Sequence, residues 1–468
     1  MLDYWLSTVK EKCGGIGVGI ATFVYNRDSK YITPRVKIFT IRRNIKMFKK
    51  ILAVVLALVM VAALASCTGG NNELKGMSES PLPTPEVKAV ENIPSDFKIG
   101  FICLHDENST YDNNFLKAVQ AVKTALGLSD EQVIIKTNID ESNDCYVAAK
   151  DLAGQGCKIV FANSFGHEPF MLQAAKEFPD VQFCHATGTM AHTEGLANFH
   201  NAFASIYQGR YLAGIAAGMK LNEMIADGKI TADQAVMGYV GAFTYAEVMS
   251  GFTSFYLGAK SVCPSVTMKV QYTGSWYDEA LEQEAAQALL SKGCVLISQH
   301  ADSMGAPSAC EVKGVPNVSY NGSTYDACPE TFIVSSAINW APYYTYIIDC
   351  VVNGKAIAAD WCGGINEGSV VLSGINLDVA AEGTVEAIEQ AIKDLQSGKV
   401  KVFDVAKDNY ITVNGQKLTT YMADVDTDDA YTPDTEAIVN GYFNESGDRS
   451  APYFNILIDG IENINTKY

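Results

Sequence analysis

KIGFICLHDENSTYDNNFLKAVQAVKTAL, running from Lys98 to Leu126, decides the fold. Lys98 to Leu104 is a nearly unbroken apolar run that reads as a buried strand. Asn114 to Leu126 then sets Phe115, Ala118, Val119, Val122 and Leu126 on one helical face. The same unit recurs downstream. Strand-like runs at Gln132 to Thr137, Lys158 to Ala162, Val181 to His185 and Leu196 to Ala202 alternate with helical patterns at Tyr146 to Gln155 and Phe170 to Phe178. Repetition of this kind predicts parallel strands joined by right-handed crossovers, an α/β lobe.

Tyr207 to Ala226 reads as a helix whose Gly209, Gly214 and Gly218 give it a small-residue face. Arg210 and Lys220 bound too short a run for a membrane span, so close packing at a junction between lobes is expected. Arg210 itself is expected in an inter-lobe ion pair. The alternation then restarts with strands at Val236 to Val240, Thr267 to Tyr272, Cys294 to Ser298 and Val315 to Tyr320, and helices at Tyr245 to Ala259 and Asp278 to Ser291. Ile333 to Ala337, the helix Ala341 to Val352, Gly368 to Leu372 and the helix Thr384 to Leu395 supply one further unit to each lobe. About 370 residues from Phe97 exceed what a single core spans, which requires two lobes. The expected boundaries are 97–205 plus 325–360 for lobe 1 and 206–324 plus 361–468 for lobe 2. The hinge is then expected at Ala204 to Tyr207, Asn321 to Tyr325 and Asp360 to Gly364. Beyond Lys399 the chain is irregular and acidic, with Asp424, Asp426, Asp428 and Asp429, and without the glycine and glutamate of a calcium loop. A solvated strap is expected there.

Upstream, MFKKILAVVLALVMVAALASC from Met47 to Cys67 has a basic start, an apolar run and small residues ending in cysteine. This is the layout of a lipoprotein signal peptide over 47–66, with Cys67 as the lipidated N-terminus. The polar Gly69-Gly70-Asn71-Asn72 that follows favours cleavage over a transmembrane helix. Residues 1–46 read as an upstream extension. Gly14 to Gly19 is glycine-rich but has no strand-turn-helix context. Residues 67–96, with Pro81, Pro83 and Pro85 alternating, read as a flexible tether. The expected location is the outer face of a bacterial cell membrane. Residues 1–66 carry eleven Lys/Arg against three Asp/Glu, so removing them moves the formal net charge from -18 to -26. Such acidity excludes nucleic acid as a partner. Of twelve cysteines, ten lie outside Cys13 and Cys67, without a Cys-x-x-Cys pair, and read as buried thiols.

Ligands of open parallel sheets bind beyond the carboxyl ends of the strands. Those ends carry His105-Asp106, Asn163-Ser164-Phe165, His185-Ala186-Thr187, Phe243-Thr244, Ser275-Trp276, Gln299-His300-Ala301-Asp302, Asn321 and Asn339-Trp340. Rings, amides and acids at nearly every mouth suit a flat, polar-edged, uncharged ligand.

LHDENSTYDNNF, YQGRYLAGIAAG, WYDEALEQEAAQALLSKGCVLISQHADS and NWAPYY with DWCGGINEGSV together resemble the basic membrane protein (BMP) family, from about Lys98 to beyond Val371. The resemblance implies a type I periplasmic-binding-protein fold, two Rossmann-like lobes joined by a three-segment hinge. It also implies a lipid-anchored, monomeric substrate-binding protein that hands a purine nucleobase or nucleoside to the permease of an ABC importer. No cofactor, metal or catalytic residue is implied. Asp106, Asp112 and Phe115 match the family's first ligand loop. Asn321 stands where nucleoside binders have an acid, and the lysine of the return strand is missing, leaving Asn339. Those departures point to a free base such as adenine. Asp302 and Gln299 are then expected at its edge and Trp340, Trp276 and Phe165 at its faces, with Asn163 and His300 as further contacts. Rival readings are a ligand-sensing lipoprotein without transport, a metal-binding importer component using His105, His167 and His185, and a nucleoside hydrolase. The hydrolase lacks a nucleophile elbow, and the histidines lack a short metal-ligand spacing.

Overall fold

The computed structural model describes residues 75–425 and 435–465. The signal peptide, Cys67, residues 1–46 and Asp426, Asp428 and Asp429 lie outside the described residues. Among the described residues no helix is long and apolar enough to cross a membrane.

Two sheets organise the chain. The first runs β11-β5-β4-β3-β1-β2, all parallel, from β1 (Ile99–Ile102), β2 (Val133–Lys136), β3 (Ile159–Ala162), β4 (Gln182–Ala186), β5 (Phe199–Ala204) and β11 (Asp360–Gly363). β1 and β3 are buried throughout, as their unbroken apolar runs require of central parallel strands. The helix Thr110–Leu126 starts where the Ser109 hydroxyl accepts from the Asp112 amide, and ends at Gly127 with φ 64°. Its buried stripe is Phe115, Ala118, Val119 and Val122.

The second sheet contains β6 (Val236–Gly241), β7 (Thr267–Tyr272), β8 (Leu296–Gln299), β9 (Asn317–Tyr320), β10 (Phe332–Ile338) and β12 (Val370–Leu372), in the order β12-β10-β9-β8-β6-β7. Only β12 is antiparallel to its neighbour within it. β10 pairs with β9, so the chain stays in the second lobe until about residue 338. The expected placement of 325–360 in lobe 1 is corrected accordingly: the second crossing lies between Ile338 and Ala341, not at Asn321 to Tyr325. β11 pairs with β5, so the return to the second lobe lies between Gly363 and Val370.

The glycine face of the helix Tyr207–Ala226 packs against the helix Ala246–Val262, within the second lobe rather than at the junction. A Cβ on Gly214 would stand 2.0 Å from the Phe255 carbonyl oxygen, and one on Gly258 2.0 Å from that of Tyr211.

Both termini depart from expectation. The tail is not solvated: Val402, Phe403, Ile411, Phe443 and Phe454 are buried, Phe403 stacks on Phe454 at 4.7 Å, and the strand Ile461–Asn463 extends the second sheet alongside β7. Its widely spaced aromatics reach the core, and Glu445 is buried with them, a pattern without helical or strand period. Residues 75–96 are likewise docked. The Gly76 carbonyl accepts from Leu377 N at 2.9 Å, Ser78 N donates to the Ile375 carbonyl at 2.8 Å, and the Leu82 carbonyl accepts from Leu372 N at 3.1 Å, all on the second lobe. Residues 83–90 then run past Ala341, Pro342 and Ile365 at the crossings, and Pro94 accepts from Phe97 N as the chain enters lobe 1. All ten cysteines among the described residues are free thiols, nine of them buried.

Candidate ligand-binding site

The carboxyl ends of both sheets face one narrow cleft lined by Leu104, Tyr111, Asp112, Trp276, His300 and Asp302 among others. In the first lobe its floor is Asp112, only 1% exposed. Asp112 Oδ1 accepts from Asn163 Nδ2 at 2.7 Å and from His105 N at 3.1 Å, and Oδ2 lies 3.4 Å from His105 Nδ1. Burial opposes its charge, but the hydrogen bonds from His105, Asn163 and Ser109 prevail and hold it below the usual carboxylate range. Asp112 is therefore an ionised acceptor, locked in place. Asn163 acts from behind it, its Oδ1 accepting from Leu104 N at 3.0 Å.

Across the cleft, Asp302 is 4% exposed and its carboxyl is raised well above the ordinary range, first by burial and then by Glu282, Asp112 and Glu247. Burial thus favours the neutral form of Asp302 and opposes its charge. His300 is fixed between Tyr239 OH at 3.2 Å and Glu247 Oε1 at 3.0 Å. Asn321 sits at φ 63°, a left-handed position that asparagine tolerates well. Its Nδ2 donates to Asp302 at 3.4 Å, while its Oδ1 accepts from Asn114 of the first lobe at 3.0 Å. Thr110 N and Oγ1 also donate across the cleft, to the Asp302 carbonyl at 3.0 and 3.1 Å. The lobes are therefore closed on each other. Aromatic walls complete the slot: Phe165 meets Tyr245 of the other lobe at 5.1 Å, and Trp276 lies edge-on to Phe243 at 5.0 Å.

Of the twelve expected ligand residues, Asp112, Phe165, Trp276, His300, Asp302 and Asn321 line this cleft. Asn163 does not line it but supports it from behind, through Asp112 and the Tyr111 hydroxyl. The other five lie elsewhere. Phe115 and Trp340 stack on each other at 4.5 Å in the core of lobe 1, with Phe161 and Phe203 around the indole. Gln299 turns inward and donates to the Ala301 and Ser303 carbonyls, shaping the loop that carries Asp302. Asn339 ties the second crossing to the third through the Gly368 carbonyl. Asp106 caps its own loop, accepting from Asn108 N and Nδ2. Sequence reasoning missed Glu247, Tyr111 and Tyr320. Tyr320 is the last residue of β9, one before Asn321, and Glu247 follows the β6 mouth by six residues, so both were within reach of a wider search of the strand ends.

Among the described residues Arg210 makes no ion pair. It is fully buried in the second lobe, donating to Ser298 Oγ at 2.9 Å, Tyr239 OH at 3.1 Å and the Ser319 carbonyl at 3.3 Å, with the Tyr320 ring 4.8 Å away. Among the described residues no group of three or more His, Cys, Asp or Glu could hold a metal ion. His167 and His185 contact the backbone carbonyls of Ile139 and Ser164 instead, and burial pushes both down to about 4.

Two α/β lobes closed over a polar, ring-walled cleft define a solute-binding protein of the ABC transporter class. The fold is shared with solved solute-binding proteins from Conexibacter woesei, with 22% identity, TM-score 0.52 and coverage of 65% of this chain and 98% of that one, and from Aeropyrum pernix, with 16% identity, TM-score 0.54 and coverage of 65% and 92%. The chain belongs to the Bmp family of PnrA-like ABC transporter substrate-binding proteins, whose family model matches residues 104–408. It is 31% identical over 310 residues to a purine-binding protein of Brucella abortus, covering 65% of this chain and 83% of that protein. It is also 31% identical over 236 residues to a putative ABC transporter glucose-binding protein of Haloferax volcanii, covering 50% and 56%.

Proposed function

We propose that this protein captures a purine nucleobase or nucleoside between its lobes and delivers it to the permease of an ABC importer, held at the outer membrane surface through a lipidated Cys67. The observation that carries the reading is the placement of two buried carboxyls, Asp112 and Asp302, on opposite sides of a ring-walled slot, the first held below the ordinary range by its hydrogen bonds and the second raised by burial. A purine edge presents both donors and acceptors, so it can meet two carboxyls whose environments push their protonation in opposite directions. Phe165 and Trp276 would cover its faces, and Asn321 and His300 would add edge contacts. The purine-binding relative supports the choice of ligand.

A thermal-shift screen over purine bases, nucleosides, pyrimidines and glucose tests this. At a ligand concentration about 100 times Kd, linkage adds about 2.7 kcal/mol of stability. Purines are expected to raise Tm. A Tm unmoved by every purine, with glucose raising it, would transfer the reading to a sugar.

A further inference from the structure

Beyond residue 408, where the family's matched span ends, the chain is anchored on the second lobe. Phe443 and Phe454 are buried, Tyr442 OH meets Tyr207 OH at 3.1 Å, Glu445 accepts from Ser250 Oγ on the helix Ala246–Val262, and the strand Ile461–Asn463 pairs with β7. Between these anchors residues 446–452 form a loop. The Tyr453 amide donates to the Glu445 carbonyl at 2.8 Å and closes its neck. The loop is also bonded within itself: Gly447 N donates to Tyr453 OH at 3.0 Å, and Arg449 Nε and Nη2 donate to the Ala451 and Pro452 carbonyls at 3.2 and 3.0 Å.

The far side of this loop rests on lobe 1. Ser450 N and Oγ each donate to Asp360 Oδ1 at 2.8 Å, and Ser446 Oγ lies 3.9 Å from Cys362 Sγ. Both partners belong to β11, the edge strand of the first sheet, and Asp360 is fixed from its other side by His192 Nδ1 at 3.3 Å. Burial, the largest influence on Arg449, opposes its charge, and Asp424, Glu168 and Asp360 counter that, the last two from lobe 1. Hinge bending carries β11 with lobe 1 and the neck of the loop with the second lobe. Parting the lobes therefore breaks the two bonds to Asp360, while the loop keeps its own fold. A contact of a few hydrogen bonds can part and re-form, unlike the buried rings at the base of the tail.

We propose that residues 446–452 are a reversible clasp, which hooks the second lobe to β11 when the cleft is shut and sets how often the lobes part. Entry and release of a ligand then wait on its unhooking. The clasp does not depend on which ligand the cleft takes, so the purine reading can fail without it.

Hydrogen exchange of the full chain, read by mass spectrometry without ligand, tests it at Thr110, whose amide donates across the cleft to the Asp302 carbonyl at 3.0 Å and is freed when the lobes part. Asp360→Asn keeps the shape of the side chain and removes the charge of the acceptor. It should speed exchange at Thr110 about 10-fold while β3, in the core of lobe 1, exchanges as before. Ser446→Cys sets a second thiol beside Cys362. Diamide, which takes up the two thiol hydrogens, should join the pair and slow exchange at Thr110 about 100-fold, and dithiothreitol should restore the original rate. An unchanged Thr110 in Asp360→Asn, a cross-linked chain that exchanges as fast as its reduced form, or a thiol pair that does not join would each overturn the clasp. If Asp360→Asn speeds β3 as well, lobe 1 has lost stability and the cross-linked chain alone decides.

Discussion

Replacing Glu282 by glutamine should make the protein more stable, and more so as pH rises. Glu282 is fully buried beneath the loop that carries Asp302, and both its oxygens accept from Ser303 N at 3.1 Å. Burial, the largest influence, pushes its carboxyl from 4.5 up to about 7. The folded-state value lies above the unfolded one, so its contribution is fully present below about pH 4.5 and is lost as pH rises through 7. The separation of about 2.5, at about 1.4 kcal/mol per pH decade, corresponds to roughly 3 kcal/mol at pH 8 and to about 1 kcal/mol at pH 5. Glutamine keeps an acceptor for Ser303 and has no charge to desolvate. Glu282→Gln should therefore gain about 2 kcal/mol on wild type between pH 5 and pH 8, or about 4 °C in Tm. Calorimetric or urea unfolding of both proteins across that range gives the answer. The comparison cancels titrations that do not depend on Glu282, including those of His167, His185 and His200, whose values near 4 make folding less favourable as pH falls below about 6.5. Asp302, which the Glu282 charge helps to raise, shifts down in the variant. Stability curves that run parallel from pH 5 to 8 would refute the assignment.

The two tryptophans should separate cleanly. Trp276→Ala should weaken purine binding by about 1–3 kcal/mol in calorimetry with little change in Tm, whereas Trp340→Ala, which empties the lobe 1 aromatic core, should cost about 3–5 kcal/mol of stability in urea unfolding. Gly258→Val places a Cβ 2.0 Å from the Tyr211 carbonyl oxygen, so the second lobe should lose more than about 3 kcal/mol, measured by soluble yield and Tm.

The repeated strand and helix units were legible because each buries a continuous apolar run or a 3.6-residue stripe, and β1, β3 and the helix Thr110–Leu126 lie within a residue or a few of expectation. The crossing between β10 and the helix Ala341–Val352 was not, since a buried strand reads alike in either lobe and only its partner, β9, reveals its place. The site divides in the same way. Asp112 and Asp302 stand at strand mouths with nothing apolar to draw them away. Trp340 stands at a mouth too, but its large apolar surface finds Phe115 and Phe161 one layer down. The tail was hidden because Phe403, Phe443 and Phe454 are too far apart to form a period, so their joint burial exists only in three dimensions.

The docking of residues 75–96 has a mechanical consequence. Three neighbouring strands of chain can bend and can also twist about their common axis. The fourth passage runs past Ala341 and Ile365, where the other crossings are, so bending the lobes apart changes its length little. Shear or torsion between the lobes, by contrast, would have to peel the ladder on 372–378 or stretch the prolines. The added passage leaves opening free and stiffens every other relative motion, so Asp112 and Asp302 should return to the same registration each time the cleft shuts.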